Sequence, residues 1–170
     1  AGVIARQVGA AGGGGFAVDN LWASPIRFVK AVTAVRIGLN VSGAGAAGTL
    51  IRLGIYNDGG SVYPSTLLLD AGTVAFDGAT GWKEITISQA LAAGTLYWVC
   101  MITNGAGTLS FFSSTGTHFL WDSLGALTSG VTAAESMIKR SQAYGVLPDP
   151  FPAEPPTAYT SGVLVMSLRL

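Results

Sequence analysis

The chain has 170 residues, of which 49% are hydrophobic and only 11% are charged, whereas about 25% of residues are charged in an ordinary soluble domain. Nine basic residues balance nine acidic residues, so the sequence lacks the excess positive charge typical of proteins that bind nucleic acid or anionic membranes. No apolar stretch reaches the roughly 18 residues that a membrane-spanning helix needs. A surface so poor in charge predicts burial against other copies or other proteins, and a compact monomer with a Ser, Thr, Ala and Gly exterior is the alternative.

The N-terminal half is typical of β-structure. Residues 1–15 (AGVIARQVGAAGGGG) are predicted to form a flexible Gly-rich arm, with a hinge at its four consecutive glycines. From residue 16 onward, apolar and polar residues alternate in short stretches, as in half-buried strands. In AVTAVRIGLNV, for example, Val35, Ile37 and Leu39 share one face and Arg36, Gly38 and Asn40 the other. In WKEITI, Trp82, Glu84 and Thr86 share one face. Residues 94–103 (GTLYWVCMIT) are apolar on both faces, which predicts a central strand.

The C-terminal part is less regular. Residues 116–160 are predicted to be loop-rich, with one or two helical turns in AAESMIKRS, and residues 163–170 form a closing strand. Long irregular segments inside a domain tend to be functional or mobile. Seven to nine short strands separated by Gly, Asn and Asp turns predict one all-β domain over residues 16–170, an antiparallel β-sandwich of jelly-roll type.

The stretch LGIYNDGG raises the question of a metal site. Asn57 and Asp58 supply an amide and a carboxylate, but calcium prefers six or more oxygen ligands. Asn and Asp followed by glycines are also the residues that tight turns favour. We interpret this stretch as a turn and predict no cofactor, with a calcium ion near Asn57 and Asp58 as the alternative.

Catalytic residues are scarce in the sequence. The only histidine is His118, and the only cysteine, Cys100, lies inside an apolar run where a thiol is unreactive. No serine lies in a G-x-S-x-G motif, and the acidic residues stand mostly in turns. We therefore predict that the protein is not an enzyme; a hydrolase that uses His118 is the least favoured hypothesis.

Loop aromatics are the best candidates for ligand contact. Phe119, Trp121 and Tyr144 lie in the irregular segment together with His118, and we predict that these four residues form a surface for glycan or partner contact. Packing of each ring beneath a loop is the alternative. The tryptophans within strands, Trp82 among them, are expected in the core or at an interface.

Several segments resemble a β-domain of tailed-bacteriophage virion proteins, chiefly the C-terminal parts of tail fibres and related appendage proteins. The matching segments are RLGIYND, YPSTLLLDAGTV, GWKEITIS, LAAGTLYW and FPAEPPTAYTSGVLVMSLRL. The resemblance covers Asn20 to Leu170 and is strongest between Val32 and Ile102. These segments determine the fold and carry no active-site residue. The resemblance implies a virion structural or adhesion role, usually as a homotrimer.

Together these observations lead to two hypotheses. The first is a non-enzymatic structural or adhesion protein of a bacteriophage virion (tail fibre, tail tip or capsid decoration). It would assemble as a homotrimer with other virion proteins and contact host glycan. The second is a secreted carbohydrate-binding module, which predicts a monomer.

Overall fold

The computed structural model describes residues 10–113, 137–153, 157–159, 163–164 and 166–170. These residues form twelve β-strands and no helix. The strands are β1 (Ala10–Phe16), β2 (Asn20–Arg27), β3 (Val32–Gly43), β4 (Leu50–Asp58), β5 (Pro64–Ala75), β6 (Gly81–Leu91), β7 (Leu96–Thr103), β8 (Gly107–Ser113), β9 (Met137–Ser141), β10 (Thr157–Tyr159), β11 (Val163–Leu164) and β12 (Met166–Arg169).

The strands form two antiparallel sheets. In the first sheet, β8 lies between β1 and β3, β3 also pairs with β6 and β12, and β11 pairs with β8. The second sheet has the order β10-β9-β2-β7-β4-β5. Across both sheets β1 pairs with β8, β2 with β7, β3 with β6 and β4 with β5. The predicted antiparallel β-sandwich is confirmed, and its jelly-roll type stays a prediction at this point.

The main core lies between the two sheets. On β3, Ile37 and Leu39 point into it, and on β4 Leu53 and Ile55 do the same, all without exposed surface. The period-two alternation of these strands produces this arrangement, because successive side chains point to opposite faces of a sheet. The predicted central strand is also confirmed, since β7 lies between β2 and β4 and is buried on both faces.

Two sequence-based expectations about the N-terminal half are wrong. The predicted hinge at Gly12–Gly15 is part of β1, which pairs with β8 from Ala10 to Phe16, because ladder hydrogen bonds need only the backbone. The remainder of the predicted arm, residues 1–9, lies outside the described residues. Val35 does not share the buried face of Ile37, because a bulge between Ala34 and Arg36 turns it outward, where it is 42% exposed.

The segment predicted to be loop-rich contains a strand. Met137–Ser141 forms β9, which pairs with β2, so the described part of AAESMIKRS is not helical. Residues 142–153, which we call the strap, follow β9 without strand pairing and lie on the outer face of the second sheet. The sandwich therefore has one outer face that a chain segment covers.

Candidate functional site

The predicted ligand-contact residues are only partly within the described chain. His118, Phe119 and Trp121 lie outside the described residues. Tyr144 lies in the strap, where its backbone N–H donates to the Asp19 carboxylate at 2.8 Å. Its ring packs against the buried residues of the outer face, and its hydroxyl oxygen is buried without a hydrogen-bond partner among the described residues. Burial raises the pKa of Tyr144, and the residue as a whole is half-buried.

The Asn57–Gly60 turn anchors a buried tryptophan. The Asp58 carboxylate accepts hydrogen bonds from the Trp98 indole N–H at 2.9 Å and from the Gly60 N–H at 2.8 Å. The Asn57 amide donates to the Thr66 hydroxyl at 3.0 Å. Gly60 has a φ of 85°, which favours glycine. A calcium ion here would compete with both donors for the Asp58 carboxylate, and no group of three or more metal-ligating side chains occurs among the described residues.

The strap seals the outer face of the second sheet through buried apolar side chains. Leu147 and Phe151 are both 3% exposed, and Phe151 packs edge-on against Tyr56 with ring centroids 5.1 Å apart. Beneath them, Trp98 and Cys100 on β7 have no exposed surface. Burial raises the pKa of the Cys100 thiol well above its usual value, which keeps this group protonated and unreactive.

Hydrogen bonds hold the strap in place along its length. The hydroxyl groups of Tyr56 and Tyr63 donate to the carbonyl oxygens of Pro148 and Pro152, at 2.7 and 2.9 Å. The buried Arg140 in turn donates to the Tyr63 hydroxyl at 2.7 Å through Nε. Two tyrosine hydroxyl groups thus provide partners for backbone carbonyls in a segment that has no strand pairing, and Arg140 holds one of these hydroxyl groups in place.

An ion pair sits beneath the start of the strap. The Arg52 Nε lies 2.8 Å from both carboxylate oxygens of Asp70. The same carboxylate accepts hydrogen bonds from the N–H groups of Gly72 and Leu147, at 3.0 and 3.4 Å. Burial acts to raise the pKa of Asp70, but these hydrogen bonds and the Arg52 charge outweigh it and lower that pKa.

No segment among the residues that the structure describes covers the outer face of the first sheet across β6, β3 and β12, which we call the open face. On this face Trp82 lies opposite Asn40, and Glu84 lies opposite Gly38. In the next row of paired residues, Arg36 lies between Thr86 and Arg169. Trp82 is 52% exposed, so this face presents an aromatic ring beside polar side chains.

A charged cluster of three side chains, Arg36, Glu84 and Arg169, occupies the middle of this open face. The Glu84 Oε2 atom lies 3.3 Å from Arg36 Nη1 and 3.1 Å from Arg169 Nη1. Gly38 leaves room for this arrangement, since a Cβ there would lie 2.8 Å from Glu84 Cγ and 2.5 Å from the Lys83 carbonyl oxygen. The glycine thus lets the glutamate side chain lie across β3 and reach both arginines.

Comparison with known proteins gives no relative. No family model, curated protein or solved structure matches this chain. The described residues also contain no helix that is long and apolar enough to cross a membrane. The inferences that follow therefore depend on the chemistry of the surfaces and on the strand order.

Proposed function

We propose that the chain is a non-enzymatic structural or adhesion protein of a bacteriophage virion that assembles as a homo-oligomer, with a homotrimer as the expected form. Two features support the virion context. One is the resemblance of five sequence segments to phage appendage domains. The other is the strand order.

The strand order favours a jelly roll. The first eight strands pair in nested order along the chain, the first with the last and so on inward: β1 with β8, β2 with β7, β3 with β6 and β4 with β5. We infer that this nested pairing is the winding of one long hairpin into two four-stranded sheets, which is the jelly-roll plan. Jelly rolls recur in viral capsid and lectin domains, although a fold alone does not define a function.

The observation that carries the homo-oligomer proposal is an apolar seam along two edge strands. β5 ends the second sheet, and among the described residues β6 pairs only with β3 in the first sheet. These two strands lie beside each other and bear six apolar residues that pack against the edge of the main core and remain partly exposed there. The members of this seam are Leu68, Leu69, Ala71, Val74, Ile85 and Ile87. A long apolar edge with little charge is a surface that other copies can bury.

Light scattering tests the oligomer. We expect the full chain at tens of micromolar to have three times its 17.3 kDa chain mass. Ile87→Lys should yield a smaller species, because the ammonium group would have to be buried in the interface, and circular dichroism checks that the fold survives, since Ile87 also packs against the edge of the main core. Val29→Lys is the matched control, since Val29 lies outside the seam, between β2 and β3, and is 94% exposed. A monomeric wild type would overturn the homo-oligomer and favour the secreted carbohydrate-binding module.

The virion context has a separate test. We expect peptides of this chain in density-gradient-purified particles of the phage whose genome encodes it. Particles that contain every known structural protein of that phage and no peptide of this chain would contradict the proposal.

A further inference from the structure

The open face of the first sheet places an aromatic ring beside a positive surface. Trp82 and Glu84 are two residues apart on β6 and point to the same side, so about 7 Å separates them along the strand. Both arginine head groups converge on Glu84. A flat ligand on the indole ring is therefore within reach of two guanidinium groups.

The charge that this cluster shows to solvent is positive. The side chains of Arg36 and Arg169 are 48% and 45% exposed, whereas that of Glu84 is only 17% exposed. Among the described residues, the ion pairs of this cluster join two guanidinium groups to one carboxylate, which leaves an excess of one positive charge in the cluster. An anionic group approaching this face meets the arginines before it meets the glutamate.

The ion pairs also orient the arginines. Glu84 holds each guanidinium group through Nη1, and a guanidinium group has five N–H donors in a fixed plane. This fork matches the two oxygens of a carboxylate. Because the arginine side chains are already held, less conformational entropy is lost when a ligand binds.

The geometry of the face limits the kind of ligand. β3 pairs with β6 on one side and with β12 on the other, so a peptide cannot add a strand in the middle of this sheet. One uncompensated charge is also far below the basic surface that nucleic acid needs. A flat ring that carries an acidic group fits both the indole and the guanidinium groups.

We propose that the open face binds an acidic glycan. The indole ring of Trp82 stacks on the apolar face of a pyranose ring, and the guanidinium groups of Arg36 and Arg169 bind the carboxylate of that sugar or of its neighbour. The inference rests on the proposed adhesion role and gives it a ligand class and a site away from the loop residues His118, Phe119, Trp121 and Tyr144.

A glycan array followed by calorimetry tests this site. The probes are oligosaccharides of galacturonate, glucuronate and sialate, beside the same oligosaccharides with methyl-esterified carboxyl groups. We expect the full chain to bind at least one acidic probe and to bind its methyl ester about tenfold more weakly or worse. Raising the salt from 0.05 to 0.5 M should weaken binding, because these arginines are half-exposed.

Variants locate the binding on the open face. Trp82→Ala, Arg36→Gln and Arg169→Gln should each weaken binding about tenfold. Arg27→Gln is the matched control, since it removes the same charge from an exposed position on β2 of the other sheet, and it should leave binding unchanged. Circular dichroism and light scattering check that each variant keeps its fold and mass.

Three outcomes would overturn the proposal: no acidic probe binds, a methyl ester binds as well as its acid, or the three face variants bind like wild type. These outcomes are distinct from failure of the proposed function, which the oligomer mass and the particle peptides test. If the chain forms an oligomer in virions but does not bind acidic glycans, the proposed structural role stands and the acidic-glycan site is excluded.

Discussion

The two outer faces of the sandwich differ in their exposure to solvent, although antiparallel strands form both of them. On the second sheet, outward residues such as Tyr56, Trp98 and Cys100 have no exposed surface because the strap covers them. On the first sheet, outward residues such as Trp82 and Arg36 remain accessible. A tryptophan on a strand is thus a core residue in one case and a surface residue in the other, and the covering segment makes the difference.

The covered face is both apolar and rich in hydrogen bonds. The hydroxyl groups of Tyr56 and Tyr63 donate to carbonyl oxygens of the strap, and the strap's Asp149 carboxylate accepts a hydrogen bond from the Leu67 N–H of β5 at 3.0 Å. The open face has instead a charged cluster and, among the described residues, one exposed ring. The covered face is therefore expected to contribute more to stability than the open face.

The strongest test of this comparison substitutes the two tryptophans. Trp98→Ala should lower the free energy of unfolding by about 3–5 kcal/mol, the usual range for removing a buried aromatic ring. Trp82→Ala should change it by no more than about 0.5 kcal/mol, as surface substitutions usually do. Urea denaturation of both variants measures the difference, and equal losses would show that the open face is also part of the folded core.

One added methyl group beneath the strap should disrupt its packing without removing any contact. Gly54 on β4 lies beneath the strap, where a Cβ would be 2.3 Å from Leu147 Cδ1 and 2.6 Å from the Leu69 carbonyl oxygen. Gly54→Ala should therefore cost about 1–3 kcal/mol of stability by overpacking and should speed proteolysis within the strap. Gly145→Ala is the matched control within the strap, since a Cβ there meets nothing within 4 Å and, as at Gly54, the φ lies outside the left-handed region. If Gly54→Ala matches wild type in both measurements, the strap does not pack as described.

Acid should loosen the covered face through Asp70. Hydrogen bonds and the Arg52 charge lower the pKa of Asp70 below its usual value in the folded state, so this carboxylate contributes stability that is present above its unfolded pKa and is lost as the pH falls through the folded pKa. Asp70→Asn should be less stable than wild type at pH 7, and the difference should narrow towards pH 3. Urea midpoints across this range give the measurement, and a difference that stays constant with pH would exclude the linkage.

The sequence predicted which residues of one strand share a face, but it did not predict which strands pair or in what register. The alternation in WKEITI places Trp82, Glu84 and Thr86 on one side, and the β3 alternation places Arg36, Gly38 and Asn40 on one side, as the structure confirms. The cluster itself depends on register between strands that are 48 and 85 residues apart. Local periodicity carries no information on such distant pairing.

The strap was hidden from the sequence for a related reason. Its prolines and polar residues are typical of an exposed loop, and its buried residues, Leu147 and Phe151, follow no period that predicts a covered face. The outward-pointing side of β4 was more informative. An outward Tyr56 beside β7, which is apolar on both faces, indicates a second apolar layer over this sheet. Trp82 was expected in the core or at an interface; at 52% exposed it is not a core residue, and its place at an interface stays a prediction.

The smallest expected effect concerns the ion pairs of the open face. Glu84→Gln removes the carboxylate charge that both half-exposed arginines share and keeps the size of the side chain. Exposed ion pairs contribute about 0–1 kcal/mol each and weaken with salt, so the variant should lose less than about 1 kcal/mol in low salt and almost nothing in 0.5 M NaCl, as urea denaturation would show. Trp98→Ala should keep its full loss at both salt concentrations, because burial of an apolar ring does not depend on screening. A salt-independent loss of several kcal/mol in Glu84→Gln would mean that the cluster stabilises the fold as the strap does, and the two faces would then differ in chemistry but not in role.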